Sequence, residues 1–115
     1  MDTLDRYREI LKRVLSEYAS IPYAYGEIKT ETVFDPSGDH YLLVNVGWDK
    51  GRRVHGCLVH VDLINGKLWI QRDGTERGIA AELEEAGVPK SDISDIVLGG
   101  FRPPEIRKYT DYAVA

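Results

Sequence analysis

Residues 40–73 read HYLLVNVGWDKGRRVHGCLVHVDLINGKLWIQRD. Three β-rich runs are separated by Lys50-Gly51 and Asn65-Gly66, and an Asn-Gly pair between apolar runs is a strong signal for a two-residue hairpin loop. The pattern predicts strands over His40–Trp48, Arg52–Ile64 and Lys67–Asp73. With Asn65-Gly66 as a loop, Leu63 opposes Leu68, Val61 opposes Ile70 and Val59 opposes Arg72. With Lys50-Gly51 as a loop, Val46 opposes His55, Val44 opposes Cys57 and Leu42 opposes Val59. Cross-strand partners share a face. Both hairpins therefore gather Leu42, Val44, Val46, Trp48, Cys57, Val59, Val61, Leu63, Leu68 and Ile70 on one face, the expected core. The other face would carry Tyr41, Leu43, Asn45, Gly47, Val54, Gly56, Leu58, His60, Asp62, Trp69, Gln71 and Asp73. That set is too apolar to be fully solvated, so the C-terminal segment or a partner is expected to cover it.

Upstream, Glu27–Phe34 alternates Ile28, Thr30, Thr32 and Phe34 with charge, and Asp35-Pro36-Ser37-Gly38-Asp39 has turn composition. Before it, Leu4, Tyr7, Ile10, Leu11, Val14, Leu15 and Tyr18 fall on one helical stripe. Asp2 or Thr3 can cap that helix, and Pro22 stops it near Ser20. It should lie over the core face. Downstream, Thr75 can cap a helix running to about Ala86, with Ile79, Leu83 and Ala86 inward, ended by Gly87 and Pro89. Pro89–Asp92 reads as a further turn and Ile96-Val97-Leu98 as a short buried segment. Gly99-Gly100 allows a bend, and Pro103-Pro104 leads into helical turns over Glu105–Tyr109. The apolar end Tyr112–Ala115 reads as a docked tail. The expected fold is α+β: an N-terminal helix, a four-stranded antiparallel meander sheet and C-terminal helices, in a single domain over residues 1–115.

The chain has 115 residues, and its 19 acids against 15 bases give a net charge of −4. That balance argues against a general nucleic-acid coat or a polybasic membrane binder, while leaving room for a local basic patch. No apolar run is long enough to span a membrane, and Met1–Arg6 lacks the pattern of a signal peptide. Cys57, the sole cysteine, can form neither an internal disulfide nor a cysteine zinc cluster. A cytoplasmic location is expected, with no membrane partner.

Chemistry has few handles. His60 and Asp62 share a strand face and Asp73 is close in register, but His55 falls on the opposite face, and two ligands are short of the three or four that a zinc site needs. No metal and no cofactor is expected. Cys57 mid-strand reads as a small hydrophobe. No Gly-x-Ser-x-Gly elbow exists, and Asp62 with Asp73 is the only carboxylate pair that suggests acid–base work. The run Gly74–Gly78 sits where an anion loop could, but residues 73–95 hold seven acids and two bases, a field that repels phosphate. No catalytic residues are assigned and the chain is not expected to be an enzyme. Small basic groups, Arg52 and Arg53 at one hairpin and Arg107 and Lys108 near Tyr109 and Tyr112, offer an alternative DNA contact. The stronger reading is a protein interface on Tyr41, Leu43, Leu58, His60, Trp69 and Gln71, a patch rich in aromatic side chains and poor in charge.

The stretches Ile21–Glu27, Val46–Asp49, Arg53–Asp62, Trp69–Glu76 and Phe101–Thr110 resemble the XisI family across essentially the whole chain. The run Ser91–Phe101 is longer than the compact segment of that family. The resemblance implies a cyanobacterial accessory factor in excision of the fdxN element, a DNA segment removed by site-specific recombination during heterocyst development. It implies action beside an XisH-like protein of nuclease fold and a separate recombinase, with DNA reached indirectly through either. It supplies no catalytic residues. The expectation is a regulator that binds an XisH-like partner and forms a homo-oligomer, a dimer or higher.

Overall fold

The computed structural model describes residues 3–22 and 26–95. Helix α1 (Thr3–Ala19) is followed by β1 (Glu27–Asp35), β2 (His40–Asp49), β3 (Arg52–Ile64) and β4 (Lys67–Asp73), then α2 (Ile79–Glu85), a 3₁₀ turn (Lys90–Asp92) and β5 (Ile93–Asp95). The sheet has five strands in the order β1-β2-β3-β4-β5. The first four form the expected antiparallel meander, and β5 lies parallel to β4, pairing Leu68 with Ile93. The architecture is therefore α+β with a mixed five-stranded sheet rather than four antiparallel strands. A parallel neighbour needs a crossover, which the segment containing α2 supplies. Ile93, fully buried, is the apolar anchor of this three-residue strand, too short to show periodicity in a sequence.

Both hairpin loops form as read. Lys50-Gly51 and Asn65-Gly66 have positive φ at both positions (50° and 78°, 52° and 78°), the backbone of a type I′ turn. Near the loops the registers match expectation: Val46 pairs with His55, Val44 with Cys57, Leu63 with Leu68 and Val61 with Ile70. Farther out, each hairpin holds a bulge. In β2–β3 the partner of Leu43 is Val59, so Leu58 is the extra residue. In β3–β4 the partner of His60 is Arg72, so Gln71 is extra.

The first bulge inverts the expected face of β2. Tyr41 and Leu43, expected on the second face, are fully buried with Val59, Val61, Leu63, Leu68 and Ile70. Leu42, Val44, Val46, Trp48 and Cys57, expected in the core, lie on the opposite face, where Trp48 is 51% exposed. A one-residue slip moves every side chain beyond it to the other face, and a bulge is such a slip built into one strand.

The core sits between the sheet and the two helices. Helix α1 buries Tyr7, Ile10, Leu11, Val14 and Leu15, and α2 buries Ile79, Ala80 and Leu83. Each buried leucine, isoleucine or valine side chain contributes about 1.5–3 kcal/mol through removal from water. Helix α2 starts three residues later than expected, capped at Gly78, because Thr75 is spent on a turn: Asp73 Oδ1 accepts from Thr75 N (2.9 Å) and Asp73 Oδ2 from Ile79 N (2.7 Å). Gly87 ends that helix with φ 115°, as read.

Two polar links tie α1 to distant chain. Arg8 holds Asp39 through Nε (2.8 Å) and Nη2 (3.1 Å), and the Tyr7 hydroxyl donates to Asp92 Oδ2 at 2.5 Å. At Gly47 an added Cβ would stand 1.9 Å from the Glu27 carbonyl oxygen, so only glycine lets β1 and β2 approach here. The proposed Asp2 cap, the segments at 96–100, the helical turns at 105–109 and the tail at 112–115 lie outside the described residues. No described helix is long and apolar enough to cross a membrane.

Candidate functional site

The second face of the sheet carries the cluster of interest. With Leu58 bulged, the β2–β3 pairing slips by one residue and His40, the first residue of β2, stands opposite Asp62. Without that slip it would oppose Val61. His60 precedes Asp62 by two residues on β3 and shares its face. Both imidazoles reach the same carboxylate oxygen: His40 Nδ1 and His60 Nε2 each lie 2.7 Å from Asp62 Oδ1. The two rings meet edge to face, centroids 6.3 Å apart. Gln71, the extra residue of the second bulge, donates from Nε2 to Asp62 Oδ2 at 3.5 Å.

The turn before β2 prepares this position. The Asp35 carboxylate accepts from the backbone N–H of Ser37 and Gly38 and from the Ser37 hydroxyl. These bonds hold the Asp35 carboxyl below its usual range, the Ser37 hydroxyl contributing most. A Cβ at Gly38 would come within 3.0 Å of His40 Cδ2 and 2.6 Å of Asp35 Oδ2, so the glycine leaves room for the ring.

The carboxylate is buried while its partners meet solvent: the Asp62 side chain is 12% exposed, His60 31% and His40 53%. The hydrogen bond to the Asp62 carboxylate raises the His40 pKa, and the charges of Asp62, Asp35 and Asp39 add to the effect. A buried carboxylate needs partners for its lone pairs, and the two imidazoles and Gln71 stand in place to provide them.

Other sequence-identified groups are not brought together. Asp73 pairs with Val59 on the helix side of the sheet and holds the turn into α2, away from Asp62. His55 is on the same face as His60, contrary to expectation, but near the hairpin tip opposite Val46. Cys57 is exposed, and its thiol, pushed up by partial burial, donates to the Val59 carbonyl at 3.3 Å; that environment stabilises the thiol, not the thiolate nucleophile. In the loop Gly74–Gly78, Arg77 pairs with Glu82 and Glu85, which neutralises the cation a phosphate would need.

The expected interface set divides. Tyr41 and Leu43 are in the core and unavailable, because the Leu58 bulge turns them under α1. Leu58 is half-buried against the core, Trp69 and His60 are half-buried, and Gln71 is exposed. In their place the second face presents Trp48 (51% exposed), Val33 (48%) and Ile64 (44%). Arg52 and Arg53 are exposed at the hairpin tip, where Arg53 lies 5.1 Å from the centroid of the Trp48 ring. Arg107 and Lys108 lie outside the described residues. His40 is the residue sequence reasoning missed. Its signal was its place as the first residue of a strand paired with the His60–Asp62 strand, one register step from alignment.

Comparison with known proteins agrees with the fold. A XisI-like protein from Anabaena variabilis, known from its crystal structure, superposes with a TM-score of 0.79 at 39% identity, over 97% of this chain and 99% of that one. The fdxN element excision controlling factor XisI from Anabaena variabilis superposes with a TM-score of 0.73 at 32% identity, over 99% of this chain and all of that one (100%). No curated protein matches. The XisI protein family matches residues 1–114, and the chain belongs to the XisI family.

Proposed function

We propose that this protein controls excision of a DNA element by docking on an XisH-like protein of nuclease fold, as a non-catalytic regulator that also self-associates. The observation that carries the reading is the second sheet face, where exposed Trp48 and Val33 flank half-buried Leu42, Val44 and Val46 along β2. An apolar stripe ending in an aromatic side chain with an arginine stacked on it has the composition of a binding-site centre. The excision role follows from the relative named as the fdxN element excision controlling factor. Co-expression of this chain with its cognate XisH-like protein tests the partner. The pair is expected to co-purify, and Trp48→Glu to abolish the association while circular dichroism stays unchanged. Failure of the unmodified pair to associate overturns the proposal.

A second reading, direct DNA contact, is favoured by the exposed Arg52 beside the Arg53–Trp48 stack. It predicts salt-dependent binding to element-end DNA that Arg52→Glu with Arg53→Glu removes. Equal binding by that double variant would dispose of it.

A further inference from the structure

We propose that His40, His60 and Asp62 form a binding site for one divalent transition-metal ion of the zinc class, with the remaining coordination position open to water. Three ligand atoms of the correct type converge here, all within 4.8 Å of one another. Ligands bound at about 2.0–2.2 Å in a tetrahedron stand about 3.4 Å apart. The two contacts of 2.7 Å to Asp62 Oδ1 therefore need to open by only about 0.7 Å when a metal replaces the shared protons.

The donor set selects the ion. Two imidazoles and one carboxylate suit zinc, nickel, copper or iron, whereas magnesium and calcium favour all-oxygen sites. The supports are rigid: Asp62 and His60 are on one strand, two residues apart, and Gln71 steadies the second carboxylate oxygen, the role an outer partner takes in metal sites. Half-exposed His40 leaves an entry path, and three protein ligands with one open position is the arrangement of exchangeable zinc. His60 and Asp62 alone would not make this site; the Leu58 bulge completes it by bringing His40 across.

The test uses the full chain, stripped with chelator and titrated with Zn²⁺ by calorimetry and with Co²⁺ by visible absorption. One equivalent is expected. His60→Ala and His40→Ala should each weaken binding at least about tenfold, and Gln71→Ala by about tenfold, as for second-layer partners of other metal sites. Because His40 is solvent-exposed, His40→Ala is expected to keep the far-ultraviolet spectrum and thermal unfolding of the metal-free protein, which separates lost ligation from lost folding. A thiolate-to-cobalt charge-transfer band would place the ion at Cys57 and overturn the assignment. So would the absence of stoichiometric uptake, or uptake unchanged in both histidine variants.

Discussion

The two ends of the β2–β3 hairpin have similar sequences and opposite orientations. Toward the tip, Val44 and Val46 pair with Cys57 and His55 on the uncovered face; beyond the bulge, Leu43 and Tyr41 pair with Val59 and Val61 beneath α1. Both stretches alternate apolar residues, so alternation alone is satisfied by either orientation. What separates them is Leu58, whose extra place in β3 turns one apolar set inward and leaves the other outward. The bulge thus supplies two things together: a core beneath the helices and, on the reverse side, the His40–Asp62 alignment.

The sharpest way to break this comparison is to truncate one side chain from each end. Leu43→Ala is expected to lower the unfolding free energy by about 2–5 kcal/mol, a full core truncation. Val44→Ala should cost about 1 kcal/mol or less, because its side chain is only half-buried. Urea unfolding of the two variants measures the difference, and the reverse ranking would restore the unbulged register. The glycines give a parallel contrast. Gly47→Ala forces β1 from β2 and should cost about 3 kcal/mol, whereas a Cβ at Gly56 meets nothing within 4 Å and Gly56→Ala should change stability by no more than about 0.5 kcal/mol.

Alkaline titration sharpens the contrast between the covered and uncovered faces. Burial, then the contacts with Asp92 and Asp39 respectively, push the phenols of Tyr7 and Tyr41 up to about 12 from 10.0. The folded state holds these protons more tightly than the unfolded chain. Their contribution is therefore fully present below pH 10 and is lost as pH rises through about 12. Unfolding free energies measured from pH 9 to 12 should decline, and Tyr7→Phe should flatten part of that decline. The smallest expected effect is on the uncovered side: Arg53→Ala removes the stack on Trp48 and should cost about 0.5–1 kcal/mol, read by the same urea titration.

Turn chemistry is local, and that is why so much of the meander was legible. Lys50-Gly51 and Asn65-Gly66 fix the pairings beside them through their own backbone preferences. The helix stripe from Tyr7 to Leu15 was legible for a similar reason, since one amphipathic period decides which side is buried. The bulges were not legible because no residue in Leu58 or Gln71 marks them; packing under α1 and the swing of Asp73 toward α2 do. Strand β5 escaped notice because Ser91-Asp92-Ile93-Ser94-Asp95 contains one apolar residue, buried only once a sheet edge is beside it. At the site, the His60–Asp62 spacing was visible, but His40 belongs to it only through a one-residue slip that the loops do not encode.

The Tyr7–Asp92 hydrogen bond has a kinetic consequence. The hairpins pair residues close in sequence and can form early, whereas this bond spans 85 positions and must await closure of nearly the whole described chain. It belongs to the late side of the folding barrier. We therefore expect Tyr7→Phe to hasten unfolding with little change in the folding rate, as stopped-flow chevrons would show; equal slowing of the folding limb would place the helix in the nucleus instead. On this view the meander sets how fast the protein folds, and the clasp between its first helix and the turn before β5 sets how long it stays folded.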